Sequence, residues 1–226
     1  MGIHDEHRKR MKQKFINSGM DSFADHEVLE LLLYYSIARR DVNPIAHELI
    51  NRFGSLSAVF DAPIEELQKV DGVGEHTAAL IKMLPQISRR YLISRTAADN
   101  VLTSPQLAGE YVKSYFYSMN KECVYLICLD ARSKVITTKC ITEGDVSNVP
   151  LSSRQVVEFA LSNHATSIII AHNHPNGFAL PSESDYISTR RIENALKAVE
   201  IKLLDHIIVS DDDFVSMADN GFFDRY

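Results

Sequence analysis

The sequence predicts an α+β protein of two domains, a helical domain over residues 1–96 and a mixed β-sheet domain flanked by helices over residues 105–226. Apolar residues in the first part recur at helical spacing with little β-branched alternation, whereas the second part mixes short strand-like runs with amphipathic stretches. The charge changes at the same place: residues 1–96 carry 13 basic and 13 acidic residues, and residues 97–226 carry 11 and 17. The polar stretch 96–105 is the predicted linker.

Four helices are predicted in the first domain. The stretch SFADHEVLELLLYY opens with acidic residues and then places leucines at helical spacing, and NPIAHELINRF has the asparagine-proline start that suits a first helical turn. A third, short helix begins at Pro63, and a fourth runs from near Glu75 through HTAALIKMLPQISRRYL. Pro85 inside the fourth predicts either a kink or a break into two helices.

The second domain is predicted to begin with a helix over residues 106–119. Two strands follow, CVYLICLD and KVITTKCIT, and the short ARS segment between them predicts a hairpin or a close neighbour pair. An amphipathic helix, SRQVVEFALSNH, precedes the apolar strand SIIIAH. The long helix SESDYISTRRIENALKAVE comes next, with Ser182 as its predicted N-cap, and the strands KLLDHIIVS and FVSMA complete the domain.

Composition excludes several classes of protein. The formal net charge of −6 argues against a chain that binds nucleic acid through its overall charge. No apolar run approaches the roughly 18 residues of a membrane helix. Cys123, Cys128 and Cys140 show no CxxC spacing, so we expect no disulfide framework and a cytoplasmic location. Five residues apart on one strand, Cys123 and Cys128 should point to opposite faces. All three cysteines are expected to be small core or near-core residues.

The stretch AHNHPNGFALPSESD carries the strongest functional pattern. His172 and His174 are two apart at the end of a predicted strand, so both imidazoles should face one side. Asp185 follows 11 residues later at the start of a helix, and the intervening PNGFALP must loop back. Two imidazoles and one carboxylate leave the fourth position of a tetrahedral zinc ion open, which is typical of catalytic sites.

The same stretch fits the pattern H-x-H-x7-S-x2-D at all four fixed positions, His172, His174, Ser182 and Asp185. It resembles the JAMM (MPN-plus) metalloproteases. The resemblance implies a JAMM/MPN-type domain with one Zn²⁺ per chain and hydrolysis of an amide or isopeptide bond in a peptide or protein whose identity the sequence does not give. It also implies that Ser182 hydrogen-bonds the oxyanion, beside its role as helix N-cap.

That family further requires a glutamate upstream of the metal stretch, at the start of the first core strand, as general acid and base. Glu122 stands just ahead of the strand CVYLICLD and is the position that matches. Glu143 is the alternative, because it is nearer to the metal stretch in sequence but follows the second strand.

A second motif lies in the helical domain, in LQKVDGVGEHTAALI. Gly72 and Gly74 bracket Val73 and precede a helix, so the backbone can turn tightly and present N–H groups to a phosphate. The segment resembles a helix-hairpin-helix motif, which implies sequence-independent DNA contact by these three residues. Glu75 and the lack of a dense basic patch leave a protein-binding or purely structural role open.

The helical half with this motif, followed by a metal domain containing HNHPNG and LLDHIIV, resembles the bacterial RadC family over nearly the whole chain. One departure is Phe178 and Ala179 after the glycine, where polar residues are frequent in that family. The resemblance to the RadC family also implies an alternative function, that of a DNA-associated repair or recombination accessory protein whose metal domain is not a protease.

Other classes of site fit the same residues less well. HNH nucleases spread their residues over about thirty positions, and zinc deaminases need a CxxC that is absent here. A metal-free MPN-class domain would have lost ligands that this sequence retains. His206, in LLDHIIV, is either a residue that supports the metal ligands or a satisfied core histidine.

Overall fold

The computed structural model describes five stretches of the chain, residues 3–96, 100–143, 151–175, 177–210 and 213–223, with the side chains of residues 3–5 and 143 excepted. The helices are α1 (Ile3–Ser18), α2 (Asp25–Leu33), α3 (Asn43–Phe53), α4 (Leu56–Asp61), α5 (Ile64–Leu67), α6 (Glu75–Thr96), α7 (Pro105–Phe116), α8 (Ser153–Ser162) and α9 (Glu183–Lys197). The strands are β1 (Cys123–Leu129), β2 (Val135–Glu143), β3 (Ser167–Asn173), β4 (Lys202–Ser210) and β5 (Asp213–Ser216).

The chain divides into two compact units, Met1–Ser88 and Arg89–Tyr226. The division falls inside α6, ahead of the predicted linker, of which residues 97–99 lie outside the described part. Among the described helices, none combines the length and apolarity that a membrane crossing requires.

The N-terminal unit is built of α1 to α5 and the first part of α6 around one apolar core. Its fully enclosed side chains include Leu29, Leu33, Leu49 and Ile81, which are the apolar positions of the predicted helices. The sequence pattern did not reveal α1 and α4, which bury few residues of their own. Of the two outcomes predicted at Pro85, a kink or a break, the break into two helices is wrong, because α6 continues through this residue.

The C-terminal unit contains a five-stranded sheet in the order β2-β1-β3-β4-β5. β1 pairs antiparallel with β2, which confirms the hairpin, and antiparallel with β3. β3 pairs parallel with β4, and α9 forms the connection between them. A parallel connection returns the chain along the sheet, so the start of α9 comes close to the end of β3.

Helices cover both faces of this sheet. Cys123 and Ile127 of β1 pack in the cluster that includes α7, whereas Val124 and Cys128 pack in the cluster that includes α8 and α9. β1 and β3 are buried along all seven residues each, which explains why their sequences are continuous apolar runs without polar alternation. The α+β prediction is confirmed, and the opposite orientation of Cys123 and Cys128 with it.

Gly109 of α7 is a position where the absence of a side chain matters. A Cβ there would lie 2.1 Å from the Phe214 ring. We expect Gly109→Ala to lower the free energy of unfolding by about 1–3 kcal/mol through overpacking, although alanine in a helix interior is otherwise favoured by about 1 kcal/mol. Denaturant unfolding measures the change. In a Phe214→Ala background the same substitution should be neutral or stabilising; equal destabilisation in both backgrounds would contradict the clash.

The thiols should differ in reactivity. Cys128 is fully enclosed, and burial raises its pKa to about 11, so at pH 8 it is protonated and out of contact with solvent. Cys140 is partly exposed. We expect iodoacetamide to label Cys140 in the native protein and Cys128 only after unfolding, as read by peptide mass spectrometry. Native labelling of both at one rate would show that the sheet opens locally.

Candidate metal centre

Two histidines stand at the end of β3. His172 is the last residue but one of the strand and is 4% exposed, and His174 follows just beyond it. His172 pairs with Val124, whose side chain packs on the face covered by α8 and α9, and residues directly opposite in antiparallel strands share a face. The imidazoles therefore point toward α9, and their Nε2 atoms are 2.9 Å apart.

Asp185, in the first turn of α9, completes this group. Its Oδ1 is 3.3 Å from His172 Nε2, and its Oδ2 is 3.7 Å from His174 Nε2. The carboxylate is held by Ser182, which caps the helix: the Ser182 backbone N–H and hydroxyl donate to Asp185 Oδ2 at 2.8 and 2.6 Å, and the Asp185 N–H donates to Ser182 Oγ at 3.2 Å. The predicted N-cap role of Ser182 is confirmed, and in this arrangement its hydroxyl proton is directed at the Asp185 carboxylate.

The donor set fits a zinc ion. Ligand atoms about 2.0–2.2 Å from a tetrahedral zinc lie roughly 3.3 Å from one another, and the separations between these three side chains bracket that value. His174 Nδ1 lies 3.2 Å from the Phe178 carbonyl oxygen. A carbonyl only accepts, so we assign the proton to Nδ1, and Nε2 keeps a free lone pair for an ion.

The charges of the group also suit a cation. Burial alone raises the pKa of Asp185, but His172 and the two bonds from Ser182 outweigh it and hold that pKa well below its usual range. The site therefore presents one ionised carboxylate throughout the physiological pH range.

His206 and Thr189 extend the group inward. His206, on β4, is 4% exposed, and its Nε2 lies 2.8 Å from His172 Nδ1. Its Nδ1 lies 2.5 Å from the hydroxyl of Thr189, one turn along α9 from Asp185. Burial, reinforced by the adjacent His172 ring, lowers the pKa of His206 well below its ordinary value, so this ring is neutral at pH 7. His206 is thus a buried residue that also supports a predicted ligand, which joins the two interpretations drawn from the sequence.

Glu122 immediately precedes β1, and its backbone is fixed from both sides by Asn173. The Asn173 side chain accepts from the Cys123 N–H at 2.7 Å and donates to the Lys121 carbonyl at 3.0 Å. Since Asn173 stands between the two histidines, these bonds hold Glu122 at the same edge of the sheet as the predicted ligands. Glu143 pairs with Cys123 at the end of β2, and its side chain lies outside the described residues.

Two family models match the chain, RadC-like JAB domain over residues 102–222 and UPF0758 N-terminal over residues 4–79. A relative from Azotobacter vinelandii named UPF0758 protein is 33% identical over 223 residues, 98% of this chain and 100% of the relative. The chain belongs to the RadC-like JAB domain family. UPF0758 proteins of Ectopseudomonas mendocina and Ruegeria pomeroyi are 32% and 34% identical, over 95% and 96% of this chain and 96% and 97% of their own lengths.

The RadC-like JAB domain match contains every residue predicted for the metal site and its chemistry, and the family resemblance drawn from the sequence is confirmed. The DNA-binding prediction falls in the UPF0758 N-terminal match instead. There Gly72 adopts a left-handed φ of 88°, as a tight turn before α6 requires. Val73, however, is buried in the core and its N–H bonds to the Val70 carbonyl, so its side chain packs the turn, and only Gly74 is exposed.

Sequence reasoning missed two residues of this RadC-like site. Asn173 lies between the two predicted histidine ligands, and a polar residue that closes an apolar strand is the sequence signal for it. Thr189 stands in a polar stretch of the sequence, and its burial on the inner face of α9 depends on tertiary packing. Its spacing of four from Asp185 puts both on one side of α9, and that spacing could have been used.

Proposed function

We propose that the chain is a zinc-dependent hydrolase of the JAMM type that cleaves an amide or isopeptide bond in a peptide or protein. The observation that supports this most is the convergence of His172, His174 and Asp185, three ligands that leave one tetrahedral position open. A zinc ion bound there supplies Lewis-acid polarisation of a carbonyl and a lowered pKa for water. The three cysteines lack the CxxC spacing of a redox or metal motif and are too few for a disulfide framework, and we propose that the protein acts in the cytoplasm.

Glu122 is proposed as general base and then general acid. Its carboxylate accepts a proton from the attacking water as the new C–O bond forms, and returns it to the leaving amine as the C–N bond breaks. Ser182 is proposed to donate a hydrogen bond to the carbonyl oxygen as negative charge develops. Because its hydroxyl donates to Asp185 in the structure, this role requires the hydroxyl to turn toward the substrate while the Ser182 N–H keeps hold of Asp185.

The loop between His174 and Ser182 offers apolar contacts to such a substrate. Phe178, whose carbonyl bonds His174, has a side chain that is 83% exposed, and Leu180 is 62% exposed. Large apolar side chains in solvent beside polar ligands favour a substrate that brings apolar groups next to the cleaved bond.

The test is substrate trapping with the Glu122→Gln variant. Zinc content is measured first, by elemental analysis of the purified protein, with one zinc per chain expected. The variant should then retain peptides or proteins that the wild-type protein cleaves, and mass spectrometry of the new termini should locate the bond. A folded protein that takes up no zinc, or cleavage that a chelator does not stop, would refute the proposal.

A second candidate function, DNA association through the helical unit, is favoured by the turn at Gly72, since α6 begins just beyond it at Glu75. Gly74 offers a clean test, because a Cβ there meets nothing within 4 Å. We expect Gly74→Glu to abolish low-salt binding to branched or single-stranded DNA, and Gly74→Ala to preserve it. Fluorescence anisotropy measures both; absence of binding by the wild-type protein at low salt would dismiss this candidate.

A further inference from the structure

We propose that Ser210 is a positioning residue: its hydroxyl ties the loop that follows His174 to the end of β4, and this tie keeps the His174 ring in the orientation of a metal ligand. The inference rests on the metal site of the proposed function. The loop can be examined in the protein without an ion, however, so the two proposals can fail separately.

The loop begins as an extension of the sheet. The His174 N–H donates to the Val209 carbonyl at 2.8 Å, so the bonding between β3 and β4 continues one residue beyond the end of β3. The chain then turns, and the Gly177 N–H donates back to the His174 carbonyl at 3.2 Å. The turn is close, because a Cβ at Gly177 would lie 3.4 Å from the His174 Cβ. The loop therefore starts by folding back over a predicted ligand.

The Ser210 hydroxyl fastens this turn from the neighbouring strand. Ser210 is the last residue of β4 and is 6% exposed, and its Oγ lies 2.5 Å from the Gly177 carbonyl oxygen. A carbonyl only accepts, so the hydroxyl is the donor. The two residues are 33 positions apart in the chain. The bond therefore holds the loop to the sheet and not only to itself.

The contact between the loop and the His174 ring comes directly after this bond. The carbonyl oxygen of Phe178, the residue that follows Gly177, lies 3.2 Å from His174 Nδ1. The next residue, Ala179, is buried, whereas the Phe178 side chain is in solvent. The backbone of the loop thus faces the ligand while the Phe178 ring points outward. A loop released at Gly177 would carry the Phe178 carbonyl away from the His174 ring.

β4 thus reaches the surroundings of both predicted histidine ligands at two separate positions. The His206 ring lies beside the His172 ring, and Ser210 fastens the loop of His174. His206 and Ser210 are four apart on one strand, so their side chains share a face of the sheet. Histidine ligands of metals are usually oriented by neighbours outside the ligand set. Ser210 orients His174 indirectly, through the backbone of the loop.

Amide hydrogen exchange of the metal-free protein, measured by NMR with a chelator present, tests the tie. In Ser210→Ala the Gly177 amide should exchange about 2–10-fold faster than in the wild-type protein, the range that corresponds to the loss of one hydrogen bond. The His174 amide, which bonds to β4, should keep its rate. Ser114→Ala is the matched control, because Ser114 is also buried and its hydroxyl also donates to a backbone carbonyl, and it should leave both rates unchanged.

Zinc affinity, measured by competition with a chromophoric chelator, is the second readout. We expect Ser210→Ala to weaken zinc binding by about 10-fold, the lower end of the usual effect of losing a group that supports a ligand. Ser114→Ala should bind zinc as the wild-type protein does. A role of Ser210 in stability alone would lower the Tm of Ser210→Ala and leave its zinc affinity unchanged.

The two readouts separate the proposals. If the wild-type protein binds no zinc, the proposed function fails, while exchange at Gly177 still decides whether Ser210 holds the loop. If Ser210→Ala folds with unchanged zinc affinity, or with unchanged exchange at Gly177, the positioning role is refuted. Should Ser210→Ala not fold, the wild-type protein decides the matter: a protected Gly177 amide supports the tie, and one that exchanges like an unstructured peptide overturns it.

Discussion

The variants His174→Ala and Asp185→Asn are expected to lose bound zinc. Each removes one of three protein ligands, so affinity should fall by more than the roughly 10–100-fold caused by changes outside the ligand set. His174 is suitable because it lies beyond the end of β3 and its removal leaves the strand ladder intact. Asparagine at 185 can still accept the bonds from Ser182, so the start of α9 should survive.

Elemental analysis and thermal unfolding measure this loss. Zinc at about 100 times its Kd stabilises a folded domain by about 2.7 kcal/mol, so a chelator should lower the Tm of the wild-type protein and leave both variants unchanged. His76→Ala, at an exposed histidine of the helical unit, is the control and should retain one zinc per chain. Full zinc occupancy in a protein carrying both ligand substitutions would show that the ion binds elsewhere.

Glu122→Gln is expected to lower the rate of hydrolysis by about 10²–10⁴-fold, the usual contribution of a general base, with zinc content unchanged. Glutamine keeps the size of the side chain but cannot take a proton from water. The rate is measured on a peptide recovered by the trapping experiment, with single-turnover kinetics to isolate the chemical step.

Two further variants are compared with Glu122→Gln. Glu143→Gln tests the alternative general base and should stay near the wild-type rate. Glu110→Gln, at an exposed position of α7, controls for the loss of a surface charge. A Glu122→Gln protein that also loses zinc would make Glu122 a ligand, and one that hydrolyses at the wild-type rate would remove it from the mechanism.

The strands and the three predicted ligands could be predicted from the sequence because each depends on local spacing. SIIIAH is apolar along its length since β3 is buried on both faces, and His172 and His174 share a side by strand geometry. The segments that were missed depend on tertiary context. α1 lacks a periodic apolar face, and α4 is only six residues long.

Relations between distant elements were equally beyond the sequence. The contact between His172 and His206 spans 34 positions, and it exists because β3 and β4 pair in parallel with a register that places His206 beside Ile170. Sequence spacing left two interpretations of His206 open. The structure agrees with both interpretations, because His206 is buried and its ring also contacts the predicted ligand His172.

The two hydrogen bonds from the Asn173 side chain, to the Cys123 N–H and the Lys121 carbonyl, have a consequence for the order in which the site forms during folding. The three predicted ligands lie within 14 positions of the chain, whereas the bond from Asn173 to Cys123 spans 50 positions. A partly folded chain can thus bring its ligands together before β1 has docked against β3. In the proposed hydrolase such a chain would hold zinc but lack a placed Glu122. Hydrolysis would begin only when β1 has paired with β3 and Asn173 has bonded the Cys123 N–H.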